Sequence, residues 1–193
     1  MPLWGTTHDS ATNKPKWAPT DENSDYSKGD IYATNSGWVQ QAGTAASGNN
    51  NTDPAPEVLV AIGGLAGISA ATGLKTATAT SMRFVQASYA EGSRTMTVEV
   101  TWDEAITVTG TPQLVVANSA RADHTLSYTA TGSTANRKRF TAASQTVVED
   151  DVLTIGGADI TLNGGSLKDQ GTTPADASLV LSGLTAVTST VTA

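Results

Sequence analysis

The chain has 193 residues, a formal net charge of −7 and no cysteine. An acidic surface repels nucleic-acid backbones and anionic membranes, so neither is an expected partner. The missing cysteine excludes disulfides, thiolate metal sites and cysteine nucleophiles.

The length suits one core, or one domain with a long arm. Ala, Thr, Ser, Gly, Val and Asn dominate, and the strong helix formers Lys, Glu, Arg and Gln are scarce. This reads as a β-rich chain with many turns. The opening "MPLWGTTHDS" has no basic stretch followed by an apolar one, so no secretory leader is expected. The longest apolar run, "VLVAIGGLAGISAA", is too short and too rich in glycine for a membrane helix.

Residues 1–79 are predicted to be a mostly irregular N-terminal arm. "DENSDYSKGD" and "SGNNNTDPAP" are loop chemistry, and Pro2, Pro15, Pro19, Pro54 and Pro56 punctuate the segment. Trp4, Trp17 and Trp38 stand among these polar turns. Indole rings are costly in water and concentrate where one chain docks on another, which makes these three the candidate partner-binding residues. The competing reading is that they pack on their own domain. One apolar strand is expected in the arm, in "EVLVAIGGLAGI", closed by Gly63 and Gly64.

From residue 80 to 193 the pattern changes. In "RTMTVEVTW", Met96, Val98, Val100 and Trp102 share one face, with Thr95, Thr97, Glu99 and Thr101 on the other. Such one-sided alternation belongs to an antiparallel sheet with one buried face. "MRFVQASYA", "AITV", "QLVVAN", "HTLSYTA", "RKRFTA", "DVLTI", "ITL" and "ASLVLSG" supply further short strands, separated by turns such as "TGTP", "TGSTAN" and "NGG". Short strands with turn signals at this spacing predict a sandwich or barrel.

Two resemblances sharpen that expectation. "VEVTWDEAITVTGTPQLVV", the hairpin "LSYTATGST" and the closing "ADITLNGGSLKDQGTTPADASLVL" resemble the immunoglobulin-like repeat of bacterial and phage surface proteins, over about residues 82–182. The chain departs from that pattern at "RKRFTAASQTVVEDD". "MPLWG", "NKPKW", "TNSGWV" and "PEVLVAIGGLAG", in that order, resemble the opening of virion structural proteins of tailed marine cyanobacterial phages, where such a segment precedes variable modules.

Chemistry-bearing residues are sparse. His8 and His124 are far apart, and Asp123 and His124 are neighbours that a strand directs to opposite faces. His124 is therefore read as part of a solvated strand edge. No metalloprotease, phosphate-loop or serine-hydrolase motif is present. Glu149, Asp150, Asp151, Asp159, Asp169 and Asp176 are the carboxylates that calcium could use, but their spacing fits no compact ligand loop. Asp169 is expected to cap its own turn. The basic run "NRKRF", Asn136–Phe140, fits either an acidic partner or a charged edge strand that discourages aggregation.

The sequence thus leads to an all-β chain, an immunoglobulin-like antiparallel β-sandwich behind a long arm. The expected function is non-enzymatic and cofactor-free. The resemblance implies a virion structural protein, assembled in the host cytoplasm and carried in many copies or self-associated. A capsid decoration or cement protein anchored through the arm to other virion proteins, the major capsid protein foremost, is the leading form. A tail, neck or fibre component and a carbohydrate-binding or adhesive module are the alternatives.

Overall fold

The computed structural model describes residues 28–41, 55–66, 74, 76–170 and 174–193. Trp4, Trp17 and His8 lie outside them.

The described chain is all-β. Strands β4 (Ala79–Phe84), β5 (Tyr89–Ala90), β6 (Gly92–Trp102), β7 (Ile106–Thr109), β8 (Gln113–Asn118), β9 (His124–Thr129), β10 (Arg137–Val147), β11 (Val152–Ile155), β12 (Ser166–Asp169) and β13 (Val187–Thr192) build a sandwich. Hydrogen-bonded neighbours run β4-β6-β10-β9-β8-β11-β13-β5, and β12 pairs separately with β7. Taken as β4-β6-β10-β9 and β8-β11-β13, joined through the β8–β9 hairpin, this is the strand order of an immunoglobulin-like sandwich. The first strand is split between the layers: β4 pairs antiparallel with β6, whereas β5 pairs parallel with β13 through Tyr89 and Val191.

The alternation read in β6 is what fills the interior. Met96, Val98, Val100 and Trp102 are fully buried, together with Leu114, Val116, Leu126, Phe140, Leu153, Ile155 and Leu181. The Trp102 indole Nε1 donates to the Ser178 carbonyl at 3.1 Å, so its polar edge is satisfied inside the core. Ala77 and Ala79 are buried in the same interior, so the sandwich begins a few residues before position 80. Expected strands at "ITL" and "ASLVLSG" are not ladders: Thr161 makes an isolated bridge with Gln113, and residues 178–181 belong to no strand and make only scattered backbone bonds. Instead "SLKD" and the Thr-rich "VTSTVT" form β12 and β13. Only Val191 of β13 is buried, so little in its sequence announces a strand.

The segment read as irregular holds a second sheet. β1 (Ile31–Thr34), β2 (Gly37–Gln40) and β3 (Glu57–Ala61) form an antiparallel three-stranded sheet in that order. Only β3 matches the apolar strand expected from the sequence. β1 and β2 are joined by the two-residue turn Asn35–Ser36, and Gly37 follows at φ +126°. A Cβ there would overlap the Val60 carbonyl oxygen, so both the φ angle and the approach of β3 require glycine.

Candidate functional site

The central strand β2 is buried on both faces and shows no exposed position, whereas Val58 and Ala61 of β3 are exposed. Ile31, Ala33, Trp38 and Val60 pack on Leu65 and Ala66. On the opposite face Tyr32 and Val39 pack against Ala105 of the sandwich, with Ala135 beside them. Trp38 is 1% exposed, so its ring is covered by this chain and is not presented to a partner. The self-packing alternative is the one that describes it.

Polar contacts fasten the sheet to the sandwich. The Ala33 amide donates to the Asp103 carbonyl at 2.7 Å, and Ala33 and Glu104 form a parallel bridge. Asn136 Nδ2 donates to the carbonyls of Gly29 and Trp102, at 2.8 and 3.0 Å. Arg137 pairs with Asp30 at 3.3 Å. The Ala33–Glu104 bridge borders a cavity of about 260 Å³, lined also by Thr34, Asn35, Ser36 and Ala66 on the small-sheet side and by Ala105 and Gln170 of the sandwich.

Glu104 sets the character of that cavity. It is 1% exposed, and its Oε1 has no hydrogen-bond partner among the described residues. Burial pushes its carboxyl up to about 8, and the nearby carboxylates of Asp103 and Asp169 push the same way. It is therefore a neutral acid at physiological pH. Its role is not legible in the sequence: "TWDEAI" marks a turn, and nothing local to it reveals that β1 will cover the turn.

Glu99, five residues earlier on β6, meets the opposite treatment. Burial raises its pKa, but Arg139, Arg83 and Arg137 more than offset this and hold the carboxyl below its ordinary range. The contacts are 2.9 Å from Arg139 Nε, 3.0 Å from Arg83 Nη2 and 3.4 Å from Arg137 Nη1. The basic run meets an acidic group within its own chain, and the edge-strand reading of it does not hold. Strand β10 lies between β6 and β9, so it is no edge, and Arg137 and Arg139 neutralise Glu99 inside the chain. Lys138 is 7% exposed; its ammonium donates to the Thr134 carbonyl at 2.6 Å, and burial pulls its pKa down to about 8.

His124 is buried, which corrects the solvated edge expected for it. Its Nδ1 lies 3.0 Å from Gln145 Oε1 and its Nε2 lies 3.4 Å from Asn118 Nδ2. Asn118 Nδ2 also donates to Asp151 Oδ2 at 3.1 Å, and Asn118 Oδ1 accepts from the amides of Ala120 and Arg121. Arg121 Nε closes the network on Asp151 at 3.2 Å. Chiefly the Asn118 hydrogen bond holds the Asp151 carboxyl below its usual range. Asp123 accepts from the Asn118 backbone amide at 3.1 Å. The network ties the β8–β9 turn to the start of β11.

Three further carboxylates, Asp159, Asp169 and Asp176, are engaged within the chain. Asp159 accepts from the amides of Leu181 and Ser182, Asp169 from that of Ala175, and Asp176 pairs with Lys168. Among the described residues no three His, Asp or Glu side chains converge as a metal-ligand set. No helix among them is long and apolar enough to cross a membrane. No family model, curated protein or solved structure matches the chain significantly.

Proposed function

We propose that this chain is a non-enzymatic structural protein of a phage virion, a capsid decoration protein held to the particle through its N-terminal region while the sandwich projects or bridges neighbouring subunits. The observation that carries the reading is the ordered set "MPLWG", "NKPKW", "TNSGWV" and "PEVLVAIGGLAG" ahead of an immunoglobulin-like sandwich. The latter two segments contain β2 and β3, neighbours in one sheet, so they form a unit and not a string of unrelated loops. Trp4 and Trp17, the two tryptophans upstream of that unit, are the proposed anchors. Trp38 serves the same end indirectly, by filling the sheet that follows them in the sequence.

The described polar groups support a non-catalytic role. His124 and Asp151 are tied into a turn-fastening network, and Glu99 is neutralised by arginines. A carbohydrate-binding role would need exposed rings on the sandwich. Phe84, Tyr89, Trp102 and Phe140 are buried and Tyr128 is half-buried.

The test uses particles that lack the protein. They are mixed with the full chain, with residues 28–193, which keep both described sheets, and with a Trp4→Ala, Trp17→Ala double variant. Binding by the full chain alone supports the anchor. Equal decoration by residues 28–193 would place the contact on the sheets, and no binding by any of them to capsids would favour a tail, neck or fibre location.

A further inference from the structure

We infer that the cavity between the small sheet and the sandwich is a binding site for a single cationic nitrogen group, an alkylammonium or a guanidinium, which Glu104 receives as its counter-ion. The inference does not depend on where the protein resides.

The first support is an unmet valence. A buried carboxyl oxygen without a partner is costly, and few are left so without a use. Glu104 Oε1 is such an atom, on a side chain that lines a cavity. The second is the charge around it. Asp103 lies in the same loop and Asp169 ends β12, and both act on Glu104 as like charges. Among the described residues no cation lines the cavity. The basic groups on adjoining elements are engaged elsewhere: Arg137 by Asp30 and Glu99, and Lys168 by Asp176 at 2.8 Å. An arriving cation therefore meets a negative field with no competitor among the described residues.

The third is size and access. About 260 Å³ falls just below the range typical of pockets for drug-sized ligands, roughly 300–1,000 Å³. It suits one head group with a short stem. Exposed Ser36 and Gln170 stand at the rim and Glu104 lies buried within, a gradient from polar mouth to acidic floor. Alanines 33 and 105 offer the apolar wall that a methylene stem covers. A compact metal ion is the poorer occupant, because the described carboxylates do not converge as ligands.

Binding must also release a proton. Glu104 is neutral when the cavity is empty and ionised when the cation is bound. Apparent affinity therefore rises with pH, by about tenfold per unit below the carboxyl's pKa, and levels off above it.

The full chain is titrated with n-butylammonium and methylguanidinium as free cations, with acetyl-Gly-Lys-Gly-amide as a side chain presented from a backbone, and with n-butanol and methylurea as neutral controls. Amide shifts at Ala33, Ser36 and Ala105 report occupancy. The expected result is saturable binding of a cation, at least tenfold weaker binding of its neutral counterpart, and the stated rise between pH 6 and pH 7. Preference for the peptide over n-butylammonium would assign the source as a protein side chain, and the reverse as a free amine. Glu104→Gln keeps the shape and is expected to abolish binding; Ser36→Trp, at the exposed rim, should block it while leaving both cores intact. Either variant, once folded, decides the matter. Equal binding of charged and neutral probes, no saturable shift at all, or unchanged binding in the folded variants would overturn the site and leave a cavity that holds water only.

Discussion

The sandwich and the small sheet solve the same problem with different means. The sandwich encloses one continuous interior, and its buried carboxylate, Glu99, is answered by three arginines of its own sheet. The small sheet has too few residues to close a core by itself. One face packs on its own turn at Leu65 and Ala66, and the other leans on the sandwich. At that junction lies another buried carboxyl, Glu104, whose Oε1 meets no hydrogen-bond partner among the described residues. A region that completes its own interior has no chemistry left to offer. The seam between two regions is where an unsatisfied group survives.

The largest expected effect separates the two interiors. Trp102→Ala removes a fully buried ring and its bond to Ser178, and should cost the sandwich roughly 3–5 kcal/mol. Trp38→Ala removes an equally buried ring from the small sheet. It should expose the amides of β1 and β2 to hydrogen exchange while those of β6 stay protected. If Trp38→Ala loosens β6 as far as Trp102→Ala does, the two regions unfold as one unit and the contrast fails.

The two carboxyls provide the next comparison, and their pH dependences have opposite signs. Glu99 has a depressed pKa when folded, so its ionised form stabilises the chain above the unfolded value of about 4.5, and that support is lost as pH falls through the folded pKa. Glu99→Gln leaves three buried or half-buried guanidinium groups short of a partner. A loss of about 3 kcal/mol near neutral pH is expected, shrinking towards acid. Urea midpoints at pH 7 and pH 3 check this, and an equal loss at both would refute the ion-pair account.

Glu104 has a raised pKa. Between about 4.5 and about 8 the unfolded chain ionises this group and the folded chain does not, so stability falls as pH rises across that window. Glu104→Gln should therefore stabilise the chain, by almost nothing at pH 4.5 and by about 1–2 kcal/mol at pH 8, less than the full shift implies because water reaches the cavity. Thermal melting across that range measures it. A variant less stable than the parent at pH 8 would mean that the ionised carboxylate has a partner in solution.

The smallest effect concerns the weld. Asp30→Asn weakens the pair with Arg137 and is expected to cost about 0.5–1 kcal/mol, felt as faster exchange at β1 and not at β4 to β13.

Much of the sandwich was legible because period-two alternation is a local signal. Met96, Val98, Val100 and Trp102 name their own face, and "QLVVAN" and "DVLTI" mark β8 and β11 within their turns. β13 was not legible, because "VTSTVT" becomes a strand through its neighbours β11 and β5 and buries only Val191. β1 and β2 were hidden for a related reason. Strands of four residues buried on both faces show no alternation, and the one local sign, the turn "TNSG", was outweighed by the polar loops around it.

By itself the sequence determined the fold class, the inward face of β6 and the absence of cysteine chemistry, since each follows from residue type and short-range spacing. It could not determine what would cover each charged residue. Glu99 and Glu104 stand five positions apart on one segment and look alike on paper. Tertiary structure alone set three arginines from β4 and β10 against the first, and laid an uncharged strand, β1, across the second. Coulombic attraction and desolvation depend on distance in space, and that distance is fixed only when strands remote in sequence pair.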